Sequence, residues 1–309
     1  MTKNDLISYN LKQAGRTACR GNRVSAVLVS LFAALIVPGC AGFNSTGSTA
    51  DLELAGVGVQ TISDPQACLD AVGAPHVAGS HGLNPQRIQS LSWNLEKGLD
   101  DDALYQLGVL SSSMDLVVVQ EAALNSSLTH QFPNLKYWSF APGYQSKVNL
   151  TGVMTMSRVP ALTHCVFAVT EPWLGTPKAI GLTEYALQGM DKTLLVINVH
   201  AVNFTLTSAA LAKQLDVFSD FVDVHEGPVV VSGDFNTWSE ARMQVMNDFA
   251  DMHNLQVLGF EVDNRTKVFG RVLDHILVRD IEVLDTTTFQ VDTSDHNALW
   301  AEFAVTGEG

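Results

Sequence analysis

From residue 87 onward the chain consists largely of short apolar segments, and several of them end in carboxylate, amide or imidazole side chains. The segment PVVVSGDFNTWSEARM shows the pattern, because residues 229–231 are all β-branched and Gly233, Asp234 and Asn236 follow closely. A continuous β-branched run is typical of a strand that is buried on both faces. Strand ends hold side chains on a rigid frame, so polar groups collected there indicate a functional site as well as a fold.

The order of strands and helices predicts a mixed sandwich. The predicted strands are residues 88–94, 115–120, 152–157, 164–169, 193–200, 228–233, 273–278 and 297–304, and the predicted helices are residues 100–112, 206–225 and 239–253. Several strands follow one another through short turns, whereas others are separated by helices, so a purely parallel sheet is not expected. This order favours an α/β sandwich with helices outside two packed sheets.

The N-terminus has the composition of an export signal. Five basic residues and one acid accompany an uncharged apolar run of 14 residues at positions 24–37. This run is shorter than the roughly 20 apolar residues of a membrane-spanning helix. Residues 37–40, VPGC, resemble a bacterial lipobox, in which the cysteine is cleaved and lipidated. An uncleaved signal anchor with an incidental Cys40 is the alternative.

Three regions are therefore expected. Residues 1–39 form a lipoprotein-type signal peptide, residues 40–86 a tether and N-terminal covering segment, and residues 87–306 one domain. The expected product is a lipoprotein anchored to a bacterial membrane through Cys40 and facing the periplasm or the outside.

The net charge disfavours polyanionic partners. The whole chain has 18 basic and 32 acidic residues, a net charge of −14 at pH 7. Removal of residues 1–39, with their five basic residues and one acid, leaves 13 and 31, a charge of about −18. Such a field repels nucleic acid and anionic membranes at long range, because phosphate binding normally draws on a Lys/Arg surface. An avid, unassisted DNA-binding protein is not expected.

The four cysteines have different expected fates. Cys19 would leave with the signal peptide, and Cys40 would carry lipid. Cys68 and Cys165 either pair in an oxidising periplasm or remain as two buried thiols, and the sequence leaves both readings open. Their spacing matches no zinc site.

Six strand ends carry polar groups that suit one chemical task. These groups are Asn94 and Glu96, Gln120 and Glu121, His200, Asp234 and Asn236, Asp274, and Asp295 with His296. Each alone has a simpler interpretation as a turn former, helix N-cap, surface acid or buried histidine. Together they combine oxygen ligands that suit Mg²⁺, Mn²⁺ or Ca²⁺ with two histidines able to act as acid, base or charge stabiliser. Without a cysteine nucleophile, a Gly-rich phosphate loop or a Gly-x-Ser-x-Gly elbow in the sequence, the set predicts metal-assisted hydrolysis of a phosphate ester.

The motifs that contain these groups resemble a known superfamily. In order, WNLEKG, VVVQEA, TGVMTMSR, VINVHAVNF, VVVSGDFNTWSEAR, LDHILV and SDHNAL look like the endonuclease/exonuclease/phosphatase superfamily, which includes DNase I-like nucleases, apurinic endonucleases, inositol polyphosphate phosphatases and sphingomyelinases. The resemblance runs from about residue 90 to residue 303, and EPWLGTPKAI and DNRTKVFGRVLDH favour its bacterial YafD-like branch. It implies a DNase I-like fold, a four-layer α/β sandwich of two mixed, mostly antiparallel β-sheets flanked by helices.

The resemblance implies a metal site for Mg²⁺, with Mn²⁺ or Ca²⁺ as substitutes. Asn94 and Glu121 resemble the principal ligands, and Asp295 resembles a further metal or water-linked ligand. Glu96 falls where some relatives carry an acid near the metal.

It also implies roles for five catalytic residues. Asp234 resembles the group that orients or deprotonates the attacking water, and Asn236 resembles a donor to that water or to the phosphate. Asp274 matches the carboxylate that holds His296, and His296 then stabilises charge on the phosphate. An opposite charge favours the imidazolium form and so raises the pKa of the histidine. His200 is expected to assist the leaving group.

Lys97 and Lys178 are candidate phosphate contacts, and an ordinary solvated surface is the alternative for both. The expected function is that of an exported, monomeric, divalent-metal-dependent phosphoesterase that hydrolyses a phosphodiester or a phosphate monoester by in-line attack of water. Nucleic acid, a small phosphate ester and a phospholipid all remain as substrates, because specificity lies in loops such as 141–150 and 261–272. The alternative is a non-catalytic, lipid-anchored binding or scaffold protein that retains the fold.

Overall fold

The structure, a computed structural model, describes residues 59–306 except for residues 99, 125–127, 129–131, 148 and 206. The predicted signal peptide, Cys40 and nearly all of the predicted tether lie outside the described residues. No helix within the described ranges is both long enough and apolar enough to span a bilayer.

The described residues form fifteen strands and four α-helices, which largely follow the predicted order. The strands are β1 (Thr61–Ile62), β2 (Ile88–Asn94), β3 (Leu116–Ala123), β4 (Tyr137–Gln145), β5 (Leu150–Ser157), β6 (Thr163–Thr170), β7 (Pro177–Ala186), β8 (Thr193–His200), β9 (Val229–Asp234), β10 (Gln256–Val257), β11 (Lys267–Val268), β12 (Arg271–Val272), β13 (Asp274–Arg279), β14 (Ile281–Phe289) and β15 (Ala298–Val305). The α-helices are α1 (Pro65–Ala71), α2 (Asp101–Leu110), α3 (Ala209–Val224) and α4 (Glu240–Met252), and a 3₁₀ turn spans Glu96–Gly98.

The strands form two large sheets and one short hairpin. Sheet I has the order β1-β6-β7-β8-β9-β13-β10, sheet II has the order β14-β15-β2-β3-β5-β4, and β11 pairs with β12. The pairs β1–β6, β2–β3 and β8–β9 are parallel, and the other pairs are antiparallel. The predicted mixed, mostly antiparallel architecture is confirmed.

Side chains alternate between the two faces of each strand, and this alternation determines which layer each residue packs into. Val118 of β3 packs between the sheets with Val196 of β8, whereas Val117 points to the outer face of sheet II and packs with Leu107 of α2. Side chains of neighbouring strand residues point to opposite faces, so a single β-branched run supplies both cores. The outer face of sheet I packs against α1, α3 and α4, with Phe218 in that core. The result is the predicted four-layer sandwich of helices, two sheets and a further helix.

Two parallel strand pairs bring the polar strand ends together. Helix α2 connects β2 to β3, and α3 connects β8 to β9, so in each pair the carboxyl ends lie side by side. In register, Asn94 lies beside Gln120 and His200 beside Asp234. The antiparallel strand β13 begins with Asp274 opposite Asp234. The sheet topology therefore collects the polar residues at one end of the sandwich.

Seven of the described strands were not predicted from the sequence: the long strands β4, β7 and β14 and the two-residue strands β1, β10, β11 and β12. The residues regarded as a specificity loop at 141–150 belong largely to β4 and β5, and the other such loop, 261–272, contains the β11–β12 hairpin.

The described part of the N-terminal segment is joined to sheet I. Strand β1 extends the sheet edge beside β6, and Cys68 of α1 forms a disulfide with Cys165, 97 residues away. The backbone N–H of Gly73 donates to the buried carboxylate of Glu184 at 3.0 Å. Of the two states left open for the cysteines, the structure therefore shows the disulfide.

Candidate functional site

Asp234, the last residue of β9, is the hub of the polar cluster. Its Oδ2 accepts hydrogen bonds from the side-chain amides of Asn94 at 3.2 Å and Asn236 at 3.1 Å, and its Oδ1 accepts from the backbone N–H of Asn236 at 2.8 Å. Gly233 makes this close packing possible, because a β-carbon there would lie 2.0 Å from the carbonyl oxygen of Val199. The carboxylate is thus fixed on a rigid strand end.

The pKa of Asp234 indicates an incompletely compensated negative charge. Burial raises this pKa most, and the nearby carboxylate of Asp274 raises it further. His296, the hydrogen bond from Asn236 and Lys178 lower it, yet the balance leaves the pKa at about 6. A buried carboxylate in this state remains ionised at neutral pH, acts as a competent base and would be stabilised by a cation.

Asn236 holds Asp234 and has no side-chain N–H left for substrate. Its side-chain nitrogen donates to the carbonyl of Ala201 at 3.1 Å as well as to Asp234. An amide group has two N–H donors, so both are used. The backbone of Asn236 is left-handed, with φ of 51°. In this arrangement Asn236 positions Asp234, and its donation to water or phosphate stays a prediction.

His296 and Asp274 form the predicted pair. Nδ1 of His296 donates to the Asp274 carboxylate at 2.8 and 3.0 Å, and Nε2 lies 4.0 Å from Oδ2 of Asp234. Burial alone would lower the pKa of His296, but the carboxylates of Asp274 and Asp234 outweigh it and raise the pKa to about 10. The indole of Trp93 donates to the backbone carbonyl of His296 at 2.8 Å and fixes its position. His296 is thus an imidazolium at neutral pH with Nε2–H available.

His200 has the opposite protonation state. Burial, and then the positive charges of Lys178 and His296, lower its pKa well below the ordinary value. Its Nε2 lies 2.8 Å from Nζ of Lys178, so the neutral ring accepts from the ammonium group. The same nitrogen is 3.7 Å from Glu121 and 3.8 Å from Asp234. A neutral His200 that accepts at Nε2 has no proton to donate from that atom, and its expected assistance to the leaving group stays a prediction.

The predicted metal ligands differ in how deeply their side chains are buried. Glu121 lies on a bulge of β3 with φ of 52° and a partly exposed side chain that faces His200. Asn94 is buried beside Asp234. Asp295 has a 68% exposed side chain at the rim, 3.9 Å from Nε2 of His296.

Glu96 is exposed, and its backbone N–H, rather than its carboxylate, contacts Oδ1 of Asn94 at 3.1 Å. It is followed by Lys97, and both have positive φ, of 47° and 73°. Consecutive left-handed residues without glycine are costly, and such conformations cluster at functional sites. Glu96 thus contacts the cluster through its backbone, and its expected place near the metal stays a prediction.

Acidic groups that can hold a cation are present. Asp234, Asp274 and His296 offer potential ligand atoms that lie within 4.8 Å of one another. His296 is already an imidazolium that donates to Asp274, and an imidazolium nitrogen has no lone pair for a metal. A hard cation at this end of the sandwich would therefore be held by oxygens, such as those of Glu121 and Asn94 near Asp234.

A cleft of about 440 Å³ opens beside His200. Lys97, Glu121, Lys178 and His200 are among its lining residues, so both predicted phosphate contacts border one cavity. We refer to it as the His200 cleft.

Two buried charged residues behind the site were not predicted. Arg242 donates from Nε to the carbonyl of Asn236 at 2.6 Å and from Nη2 to the carbonyl of Val202. Glu171 accepts from the backbone N–H of Asn203 at 2.7 Å. Both fix the loops that follow β8 and β9. Their one sequence signal is that they lie inside the motifs EPWLG and SEAR, because burial of a charge is invisible in the sequence.

A third unpredicted contact joins the sheets below the site. Nε2 of Gln120 donates to Oδ1 of Asn198 at 2.8 Å, and Nδ2 of Asn198 donates to the carbonyls of Val119 and Met154 at 3.2 and 3.1 Å. Gln120 and Asn198 are fully buried. These hydrogen bonds fix the register of sheet I against sheet II, although Oε1 of Gln120 is buried without a hydrogen-bond partner.

Comparison with known proteins gives a consistent result. Residues 91–296 match the model of the Endonuclease/Exonuclease/phosphatase family. A UPF0294 protein of Vibrio campbellii is 33% identical over 224 residues, which cover 71% of this chain and 78% of the relative. A UPF0294 protein of Erwinia tasmaniensis is 35% identical over 257 residues, covering 82% of this chain and 94% of the relative.

Solved structures share the fold at low sequence identity. An endonuclease/exonuclease/phosphatase from Beutenbergia cavernae superposes with a TM-score of 0.58 and 14% identity, covering 72% of each chain. The human Nocturnin catalytic domain, solved with a bound sulfate anion, gives a TM-score of 0.55 and 18% identity, covering 73% of this chain and 96% of that domain.

Proposed function

Since the chain belongs to the endonuclease/exonuclease/phosphatase family, we propose that it is an exported, divalent-metal-dependent phosphoesterase that hydrolyses a phosphodiester, or a phosphate monoester, by in-line attack of water. The superfamily resemblance of the motifs is confirmed, and the similarity to UPF0294 proteins agrees with the YafD-like branch. One observation carries the proposal: Asp234 and His296, two buried groups 4.0 Å apart, are held as a carboxylate base and an imidazolium donor.

Asp234 serves as the base in this proposal. A carboxylate with a pKa of about 6 is ionised at neutral pH and accepts a proton more readily than an ordinary aspartate. The amides of Asn94 and Asn236 hold it in one orientation, so little reorganisation is needed when the attacking water loses its proton.

His296 and Lys178 stabilise the negative charge. Nε2–H of His296 donates to an oxygen of the phosphoryl group, while Asp274 keeps the ring oriented and charged. Lys178 presents its ammonium group to the His200 cleft, with neutral His200 as its acceptor. As the new O–P bond forms, the P–O bond to the leaving group breaks, and the departing alkoxide takes a proton from solvent in the open cleft.

Glu121 and Asn94 are the groups that would hold a divalent cation next to Asp234, with Asp295 as a further or water-linked ligand. Mg²⁺, or Mn²⁺ or Ca²⁺ in its place, supplies Lewis-acid neutralisation of phosphate charge when bound. The incompletely compensated charge of Asp234 supports this assignment.

Export is proposed from the basic and apolar leader with its lipobox-like VPGC and from the Cys68–Cys165 disulfide, since such bonds persist mainly in oxidising compartments. A Cys40→Ser protein should leave the membrane fraction after cell fractionation. Retention of this variant in membranes would contradict lipidation at Cys40.

The test of the activity is hydrolysis of bis(4-nitrophenyl) phosphate with Mg²⁺. Asp234→Ala and His296→Ala should each lower kcat by a factor on the order of 10² or more. Asp216→Ala, at an exposed position on the outer helix α3, is the matched control and should keep full activity. EDTA should abolish turnover, and Mg²⁺ or Mn²⁺ should restore it.

Three results count against the proposal. Full activity of Asp234→Ala would exclude Asp234 as the base. Activity that is unchanged by EDTA would exclude dependence on a divalent metal. Absence of hydrolysis across plasmid DNA, RNA, inositol phosphates, sphingomyelin and aryl diesters would favour the binding or scaffold protein.

A further inference from the structure

Exposed apolar side chains surround the mouth of the His200 cleft. Tyr144, Leu174 and Phe204 line the cleft, and Trp173 precedes Leu174 in the same turn. They are 50%, 57%, 59% and 63% exposed, in the order Tyr144, Leu174, Phe204, Trp173. Single exposed apolar residues are ordinary, but four large ones at the mouth of one reaction cleft indicate an interaction surface. We call these four residues the apolar rim.

The rim is built on a fixed backbone. The backbone N–H of Gly175 donates to the carbonyl of Glu171 at 3.0 Å, and the N–H of Glu171 donates to the carbonyl of Thr176 at 2.9 Å, closing the turn that carries Trp173. The buried carboxylate of Glu171 also accepts from the N–H of Asn203, next to Phe204. The Glu171 side chain thus links the turn that carries Trp173 to the loop that carries Phe204. A preorganised apolar surface loses little conformational entropy when it docks.

We propose that the apolar rim docks on a lipid bilayer and that the substrate is a phosphodiester of a membrane phospholipid, with its phosphate in the His200 cleft. This inference rests on the proposed phosphoesterase function. Trp, Tyr and Phe suit the boundary between water and acyl chains, because a large apolar ring is combined with modest hydration. His200, whose Nε2 lies 3.8 Å from Asp234, lines the same cleft as the rim residues, so a docked rim would leave the cleft open to the membrane.

Charge favours a lipid over a nucleic acid. A single-stranded nucleic acid also stacks on aromatic side chains, but its binding groove needs basic residues along the backbone path. Two lysines, Lys97 and Lys178, border the His200 cleft, and the chain has a net charge of −14. A zwitterionic lipid surface does not repel such a protein, whereas a polyanion does.

The chain length before the fold allows this orientation. Strand β6 runs from Thr163 toward the turn with Trp173, and β1 lies parallel to it with Thr61 beside His164. Residue 59 is therefore at the end of β6 away from the rim, roughly 30 Å along the sheet. About 18 residues separate Cys40 from residue 59, and fully extended they reach about 60 Å. A lipid on Cys40 and the rim can therefore contact one bilayer.

The test measures binding without turnover. Catalytically inactive Asp234→Ala protein, which begins at residue 40 and is otherwise complete, is sedimented with vesicles of zwitterionic phosphatidylcholine in the presence of Mg²⁺. Adding Trp173→Ser and Leu174→Ser should lower the vesicle partition coefficient about tenfold or more, because two large apolar groups no longer insert. Met252→Ser, at the C-terminal end of α4 and 72% exposed, is the matched control and should bind as its parent does.

The outcomes separate this inference from the proposed function. Wild-type protein that hydrolyses bis(4-nitrophenyl) phosphate but neither binds the vesicles nor cleaves their lipid would overturn the inference alone. Vesicle binding that depends on Trp173, without hydrolysis of any diester, would overturn the phosphoesterase function instead. Equal binding by the rim and Met252 variants would also overturn the inference. Binding and cleavage of a single-stranded oligonucleotide that depend on Phe204 would overturn the inference as well.

Discussion

The carboxylate of Asp274, the first residue of β13, accepts a hydrogen bond at 2.8 Å from Nδ1 of His296, which lies just before β15. Both side chains are buried, and the other ring nitrogen lies 4.0 Å from Asp234. His296 thus links two carboxylates from neighbouring strands of sheet I to the segment that precedes β15 of sheet II. A charged donor and a basic acceptor are therefore adjacent at the site.

Replacement of Asp274 should lower the pKa of His296. In Asp274→Asn the strongest neighbouring negative charge is lost, so the pKa should fall from about 10 toward its ordinary value, although Asp234 still raises it. NMR titration of the His296 ring would measure this shift, and the alkaline limb of kcat/KM should move to lower pH with it. Asp216→Asn is the control, and an unchanged titration in Asp274→Asn would contradict the pairing.

The same pair predicts how stability depends on pH. The pKa of His296 is raised from 6.5 to about 10 on folding, so its stabilising contribution is complete below about pH 6.5 and is lost as the pH rises through about 10. We expect the free energy of unfolding to fall over this window, and to fall less in His296→Gln. Urea unfolding of both proteins in EDTA at several pH values would measure it. Parallel curves for the two proteins would refute the raised pKa.

Loss of Lys178 should weaken phosphate binding. Lys178→Met removes a cation at the His200 cleft, so KM for a phosphodiester should rise roughly tenfold, consistent with one lost charge-assisted contact. The pKa of His200 should rise as well, because Lys178 lowers it, while burial keeps the ring neutral. Lys192→Met, at an exposed turn on the far end of sheet I, should leave KM unchanged. An unaltered KM in Lys178→Met would exclude a phosphate contact.

Arg242 should contribute far more to stability than Arg271. Arg242→Met leaves the carbonyls of Asn236 and Val202 without their buried donor, which should cost about 2–4 kcal/mol of unfolding free energy. Arg271 forms an ion pair with the exposed Glu240, and Arg271→Met should cost less than about 1 kcal/mol. Denaturant titration distinguishes the two, and equal losses would contradict the positioning role of Arg242.

Reduction of the disulfide should destabilise the domain. The Cys68–Cys165 bond closes a loop of 97 residues, and its removal by Cys68→Ser with Cys165→Ser should cost about 2–4 kcal/mol. Dithiothreitol should lower the Tm of the wild type and leave that of the double variant unchanged. A wild-type Tm that does not respond to full reduction would show that the bond contributes little.

The sequence predicted the long strands that have clean apolar runs but missed β14, which is largely polar, and β4 and β7, which Gly and Pro interrupt. Strand β4 contains Pro142 and Gly143, and β7 begins with Pro177 and contains Gly181, which are ordinarily signals of turns. A β-carbon at Gly181 would lie 3.2 Å from a methyl of Val153 in the other sheet. Close packing between the sheets therefore favours glycine at position 181, and no local sequence pattern predicts such a contact.

By itself, the sequence determined the family, the layered fold and the set of polar strand ends, because the period of strand side chains and the order of motifs are local properties. Only the tertiary structure decided what each polar group does. Asn236 turned out to hold Asp234, and His200 turned out to be neutral, because burial and Lys178, 22 residues away, set its protonation state. Desolvation and charge depend on neighbours from distant segments, so they exist only once the chain is folded.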